Sequence, residues 1–281
     1  MTMTLETSID SQALTGQATK PTVLMCRPEH FTVSYRINPW MHPEDPTDTS
    51  LALQQWTTLY DTYVDLGFTV HLIESLPGLP DMVYAANGGF VLDGIAYGAK
   101  FHYPERQPEG PAYMDWFHSQ GLDVREPEST NEGEGDFLLV GETILAASGF
   151  RSDTSSHQEI ADIYGREVVS LQLVNPSYYH LDTALAVIDE TTIAYLPSAF
   201  DEESLSILRE RYPDAIIATE EDAAFLGLNS FSDGHNVVIA ERATTFAKDL
   251  ADRGYNPIGV DLSELLLGGG GVKCCTLELR A

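Results

Sequence analysis

Near the C-terminus, the run Gly268-Gly269-Gly270-Gly271-Val272-Lys273-Cys274-Cys275-Thr276 places a thiol behind four consecutive glycines. Glycine takes backbone conformations closed to other residues and lets a ligand approach closely. A cysteine delivered by such a loop to the start of a strand can be presented into a cleft, where its thiolate is a nucleophile. The alternative for any single cysteine is a buried structural thiol. A second set of groups lies in Tyr178-Tyr179-His180-Leu181-Asp182-Thr183. On an extended chain His180 and Asp182 point to the same side, pairing a general base with a cation-binding carboxylate; alone, His180 also fits a satisfied loop histidine. In Glu132-Gly133-Glu134-Gly135-Asp136-Phe137, acidic residues sit between glycines ahead of a strand, which suits a cation-binding turn or an exposed acidic loop. Neither zinc-type histidine spacing nor EF-hand offsets occur, so no metal site is expected. Asn87 follows Pro80-Asp81-Met82-Val83-Tyr84-Ala85-Ala86 and precedes Gly88-Gly89. Asn38 lies in Tyr35-Arg36-Ile37-Asn38-Pro39-Trp40-Met41. Both asparagines also fit plain turn chemistry. Arg151, in Gly149-Phe150-Arg151-Ser152-Asp153, can grip a carboxylate through two parallel hydrogen bonds or form a surface ion pair.

The elements that must position these groups alternate between short β-like runs and helix-like stretches. Strands are expected at 22–25, 69–73, 122–124, 167–171, 215–218, 236–240 and 256–260, with a last extended segment at 274–279. Hairpins are expected at 89–97, 137–147 and 184–195, and helices at 51–66, 111–120, 155–164, 202–211 and 243–253. The first helix carries Trp56, Leu59, Tyr63 and Leu66 on one face. A unit of hairpin, helix and strand recurs about five times, which indicates a repeat architecture with mixed sheets. Pro77-Gly78-Leu79-Pro80 reads as a loop between units, and no domain linker stands out. One domain is expected over 21–281, after a loose tail over 1–20.

With 281 residues, 43% of them apolar, the chain has ample material for a core. Its formal net charge of −28 repels phosphate backbones and anionic membranes, so nucleic acid and membrane are poor partners. The same field favours solubility and the approach of a cation. Cys26, Cys274 and Cys275 give no disulfide framework, which fits a reducing, cytoplasmic compartment. No apolar run is long enough to span a bilayer. The first twenty residues lack the apolar core of a secretory signal. A homo-oligomer is left open.

Six motifs in order resemble the guanidino-group-modifying superfamily of arginine deiminases, dimethylarginine hydrolases, amidinotransferases and arginine dihydrolases. They are Asn38-Pro39-Trp40-Met41, Pro80 to Tyr84 followed by Asn87-Gly88-Gly89, Glu132 to Asp136, Gly149 to Asp153, Tyr179 to Thr183, and the glycine run ending in Lys273-Cys274. The resemblance covers nearly the whole chain, from about Pro21 to Leu279. It is nearest to the arginine dihydrolase branch, because dimethylarginine hydrolases and deiminases usually carry an acidic residue at the Asn87 position. It implies an α/β fold, a five-bladed α/β propeller (pentein) with the active site in its central channel. It also implies Cys274 as nucleophile, His180 as acid/base, Glu132 as partner carboxylate, Asp182 as guanidinium clamp and Arg151 as grip for the substrate carboxylate. Asn87, Asn38 and Lys100 complete the expected substrate-binding set. The implied partner is a small molecule, arginine or a methylated arginine, with no metal or organic cofactor required. Two residues depart from the pattern: Lys273, where many deiminases have histidine, and Cys275, a second thiol without a family role.

A guanidinium is resonance-stabilised and a poor electrophile, and a thiolate is the side chain best suited to attack it near neutral pH. A carboxylate clamp aims the planar cation at sulfur. One hydrolytic round on arginine gives citrulline and ammonia, and dimethylarginine gives citrulline and dimethylamine. A second round gives ornithine, carbon dioxide and another ammonia. A carboxylate only accepts hydrogen bonds, whereas an amide donates as well. Asn87 or Asn38 can therefore hold the neutral ureido group of citrulline, and conversion of arginine to ornithine is the expected reaction. Dimethylargininase and deiminase are the alternatives, ahead of an amidinotransferase or a non-catalytic arginine-binding protein.

Overall fold

Short β-branched runs between glycine turns pair locally, and helices carry the chain back to add a third strand each time. In the computed structural model, which describes residues 18–280, this plan produces five three-stranded sheets. The first joins β1 (Thr22–Cys26) and β2 (Thr69–Ile73). The second holds β3 (Gly89–Leu92), β4 (Ile95–Gly98) and β5 (Asp123–Arg125), and the third β6 (Phe137–Val140), β7 (Thr143–Ser148) and β8 (Glu167–Gln172). The fourth holds β9 (Leu185–Val187), β10 (Ile193–Tyr195) and β11 (Ile216–Ile217). The fifth holds β12 (Phe231–Ser232), β13 (Asn236–Ala240) and β14 (Asn256–Val260). β15 (Leu277–Glu278) closes the chain onto β1, completing the first sheet. Each sheet has one antiparallel and one parallel pairing about its middle strand. Between β3 and β4 the turn residues Asp93 and Gly94 both take positive φ, 53° and 75°, as a two-residue hairpin turn with the right twist demands.

A parallel pair needs a crossover, and a helix supplies it in every sheet: Thr49–Asp65, Glu109–Ser119, Thr154–Tyr164, Glu202–Arg211 and Thr244–Asp252. Asp48 caps the first, its carboxylate accepting from the Ser50 and Leu51 amides. That helix buries Trp56, Leu59 and Tyr63, as its spacing predicts, while Leu66 falls one residue past its end. The antiparallel edge strands lie against one another. Phe90 of β3 meets Phe137 of β6 edge to face, Val91 bridges to Leu279 beyond β15, and β9 contacts both β6 and β12.

Two expectations change, and one strand is added. The segment 274–279 is a strand only at Leu277–Glu278, so Cys274 sits in a turn ahead of the strand. The chain at His180–Asp182 is not extended, because Leu181–Ala184 forms a helical turn that His180 precedes as N-cap. β12, two residues long, had no periodicity to announce it. The expected loose tail lies outside the described residues except at 18–20, where the Thr19 amide and hydroxyl donate to the Asp233 carbonyl at 2.8 and 3.0 Å. Among the described residues no helix is long and apolar enough to cross a membrane.

Candidate active site

The glycine run is packed too tightly for side chains. At Gly269, with φ of +88°, an added Cβ would lie 2.7 Å from the Tyr179 hydroxyl and 2.8 Å from the Asn38 amide nitrogen. Asn38 is expected to bind a ureido group, but its amide is committed to this loop. It donates to the Gly268 carbonyl (3.0 Å) and the Tyr179 hydroxyl (3.2 Å), while its oxygen accepts from the Trp40 and Met41 amides. Tyr179 in turn donates to the Gly269 carbonyl at 2.7 Å. Asn38 is a brace for the loop.

The loop delivers Cys274 to a buried position where its thiol donates to Asp182 Oδ2 at 3.2 Å. Burial, then the facing Asp182 charge, push the thiol well above its ordinary value. Burial also pushes the Asp182 carboxyl up to about 7, against the opposing pull of Lys273 and of hydrogen bonds from Cys274 and Asn229. The thiol proton lies between the two groups in the free site.

His180 Nε2 lies 2.8 Å from Glu132 Oε2. An ionised carboxylate only accepts, so Nε2 carries the hydrogen and Nδ1 is left for proton traffic. Burial opposes the Glu132 charge, but the Arg151 guanidinium at 2.8 Å and the His180 bond hold the carboxyl well below the ordinary range. Arg151 is expected to grip the substrate carboxylate. It is instead spent on Glu132 and on the Ile37 carbonyl (3.0 Å), with its guanidinium over the rings of Tyr103 and Tyr179. Ser152 accepts from the Glu132 amide and donates to Asp136 Oδ2, and Asp136 Oδ1 accepts from the Leu181 amide, tying the Glu132 turn to the His180 turn.

Asn87 is buried, and the Ala86 amide beside it donates to the Cys274 carbonyl at 3.0 Å. Its Oδ1 accepts from Arg106 at 2.7 Å. Its Nδ2 has no partner and faces Gly135, where an added Cβ would come within 2.4 Å of it and 3.2 Å of the His180 ring. Lys100 lies elsewhere: it is exposed, with its ammonium on the Glu128 carbonyl at 2.7 Å. The buried cation of that stretch is Arg106, fastened to both oxygens of Glu109 (3.0 and 2.7 Å) and to the Asp81 carbonyl. Lys273 pairs with Glu134 at 2.5 Å.

Among the described residues, buried side-chain atoms without a partner include Asp182 Oδ1, His180 Nδ1 and Asn87 Nδ2. These are an acceptor for a cation, a site for a proton and a donor for an oxygen; Asp182 also accepts from the Cys274 thiol, and Asn87 Nδ2 and the His180 ring both border Gly135. Unpaired buried polar atoms are costly and cluster where a ligand completes them. No group of three or more His, Cys, Asp or Glu among the described residues is arranged to hold a metal ion. Sequence reasoning missed Arg106 and Asn229. Neither sits in a glycine-flanked motif, and only the three-dimensional pairing with Asn87 and Cys274 marks them.

A guanidinium held on Asp182, as the resemblance implies, would need that carboxyl ionised. Because its carboxyl is raised to about 7 in the free site, the competent fraction is high above pH 7 and drops about tenfold per unit below it. The value of kcat/KM for a guanidino substrate is therefore expected to fall on acidification through neutrality, as a pH–rate profile would record. A flat profile between pH 6 and 8 would remove Asp182 from cation binding.

The family model for N,N dimethylarginine dimethylhydrolase of the eukaryotic type matches residues 27–281. A dimethylarginine dimethylaminohydrolase of Mycobacterium tuberculosis is 52% identical over 256 residues, covering 91% of this chain and 85% of the relative. The bifunctional arginine dihydrolase/ornithine cyclodeaminase ArgZ of Synechocystis is 36% identical over 92% of this chain, which spans 37% of that longer protein. The solved N-terminal domain of ArgZ, a cysteine-to-serine variant bound to substrate, superposes with a TM-score of 0.89 at 34% identity, covering 93% of this chain and 98% of that one.

Proposed function

Since this chain belongs to the N,N-dimethylarginine dimethylhydrolase family, whose members hydrolyse C–N bonds of linear amidines, we propose that it converts arginine to ornithine, carbon dioxide and two ammonia in two hydrolytic rounds. The five sheets form the blades of a propeller, with the site in its channel. The observation that carries the reading is the orientation of Asn87. Arg106 has only donors, so it fixes the amide oxygen on its own side and turns Nδ2 toward Gly135 and the His180 ring.

Arginine binds with its guanidinium on Asp182, which releases the thiol proton to His180. The thiolate adds to the guanidinium carbon, and His180 returns the proton to the departing ammonia. Water, deprotonated by His180, then attacks the thiouronium carbon. The C–S bond breaks, giving citrulline and a thiol. Citrulline is neutral, so its second residence cannot rest on charge. Its ureido oxygen needs a donor, and Asn87 Nδ2 supplies one. A second attack expels ammonia and leaves the ornithine nitrogen in a thiocarbamate on sulfur; hydrolysis of its C–S bond gives the N-carboxylate of ornithine, which loses carbon dioxide to leave ornithine.

Asn87→Asp keeps an acceptor for Arg106 but turns a carboxylate oxygen toward the ureido oxygen. One lost hydrogen bond plus that repulsion costs about 2–3 kcal/mol, about a hundredfold in the second round. The variant is expected to consume arginine and accumulate citrulline, while the parent accumulates ornithine; quantifying both at full conversion checks it. The second reading, hydrolysis of dimethylarginine to citrulline and dimethylamine, is favoured by the 52% identity to the Mycobacterium tuberculosis relative. It stands if the parent leaves arginine unchanged and releases citrulline and dimethylamine from dimethylarginine.

A further inference from the structure

Asn229 lies at the end of the fourth unit, far in sequence from the nucleophile, and is fully buried against it. Its Oδ1 accepts the backbone amides of Gly271 and Cys274, both at 3.0 Å. Its Nδ2 donates to the Asp182 carbonyl at 3.0 Å and to Cys274 Sγ at 3.2 Å. Its own carbonyl accepts the Lys273 amide at 3.1 Å. The carboxamide cannot flip, because two converging N–H groups demand the oxygen on their side. The NH2 is therefore held on the sulfur.

We propose that Asn229 is a catalytic residue that stabilises the Cys274 thiolate, and the sulfur leaving group of each later step, through a fixed N–H···S hydrogen bond. The inference rests on Cys274 being the nucleophile of the proposed reaction. Two groups touch the sulfur with opposite consequences. Asp182 accepts from the thiol and favours the protonated form, and a substrate guanidinium draws that carboxylate away. Asn229 only donates, so it favours the ionised form, and nothing in the substrate competes for it because its other atoms are locked to backbone. The resting thiol is thus kept quiet by a partner that substrate removes and is supported after ionisation by one that substrate leaves in place. The same donor lowers the basicity of the sulfur when the C–S bond breaks.

The test reads the thiol without turnover. Iodoacetamide labelling of Cys274, assigned by peptide mapping, is followed against pH in the parent, Asn229→Asp and Asn229→Ser. Asn229→Asp keeps the acceptor for the two backbone amides but replaces the donor with a charge. Its labelling midpoint is expected to rise by at least one pH unit, and that of Asn229→Ser by a smaller amount. With arginine, kcat is expected to fall about thirtyfold while KM moves less than threefold. Unchanged midpoints in folded variants would overturn the proposal. In the parent, the side-chain amide resonance of Asn229 should titrate with the labelling midpoint, a reading that does not depend on either variant folding; an amide that stays still also overturns it. If arginine is not a substrate but the midpoints shift, the substrate reading fails and the role of Asn229 stands.

Discussion

Cys274→Ser is expected to lower turnover by at least about four orders of magnitude, equivalent to about 5.5 kcal/mol of barrier, while leaving thermal stability near that of the parent. A serine hydroxyl fills the same turn and can donate to Asp182 as the thiol does at 3.2 Å. It cannot ionise near neutrality, and no base contacts it strongly enough to compensate. Cys275→Ser separates the two thiols. Cys275 is equally buried, and burial pushes its pKa upward, yet Asp182 and Asn229 contact only Cys274. Its replacement costs about 1–2 kcal/mol for placing a hydroxyl in an apolar site and changes kcat by less than threefold. Steady-state kinetics beside thermal melts on both variants decide the matter. A dead Cys275→Ser and an active Cys274→Ser would move the nucleophile by one residue.

Glu132→Gln should lower kcat by about three orders of magnitude and destabilise the fold as well. Among the described residues, Glu132 is the only negative charge within salt-bridge reach of Arg151, and it also orients His180. Neutralising it strands a buried guanidinium, which costs about 3–5 kcal/mol. It also offers His180 an amide donor, which favours the tautomer with hydrogen on Nδ1 and removes the lone pair that would receive the thiol proton in the proposed reaction. The pH dependence has a defined sign. The folded-state pKa of Glu132 is depressed, so its stabilisation is complete at neutral pH, above the ordinary glutamate value of about 4.3, and is lost only as pH falls toward the depressed value. The parent should melt lower as the medium is acidified below about pH 4, and Glu132→Gln should lose that part of the dependence. A variant with parental kcat would remove Glu132 from the proton path.

Much of this fold is written in local pattern. The helix bearing Trp56, Leu59 and Tyr63 and the strands at 69–73, 236–240 and 256–260 follow from apolar spacing and turn chemistry. Glycine-flanked acids and the ordered motifs pointed to Cys274, His180, Glu132 and Asp182, which the fold gathers into two linked pairs. What stayed illegible depends on distant partners. Arg151 has the same sequence signature whether it meets a ligand or Glu132. Lys100 and Arg106 are both cations on one connecting stretch, and only the packing of Asn87 and Glu109 makes one buried and leaves the other in solvent. His180 and Asp182 were paired by strand alternation, whereas a helical turn places them on different partners.

The pairing of β15 with β1, Leu24 opposite Leu277 and Val23 opposite Glu278, bears on how the protein is made. The first sheet joins residues separated by nearly the whole chain, so on a ribosome its third strand arrives last. Four sheets can assemble from contiguous stretches while synthesis continues, and the fifth sheet in chain order is complete before the first one is. Cys274 precedes that closing strand by only three residues. A nascent chain can therefore fold most of its body, but it acquires its reactive sulfur and the strand that fixes it together. A chain halted before this point would leave β1 with a bare edge and would lack Cys274.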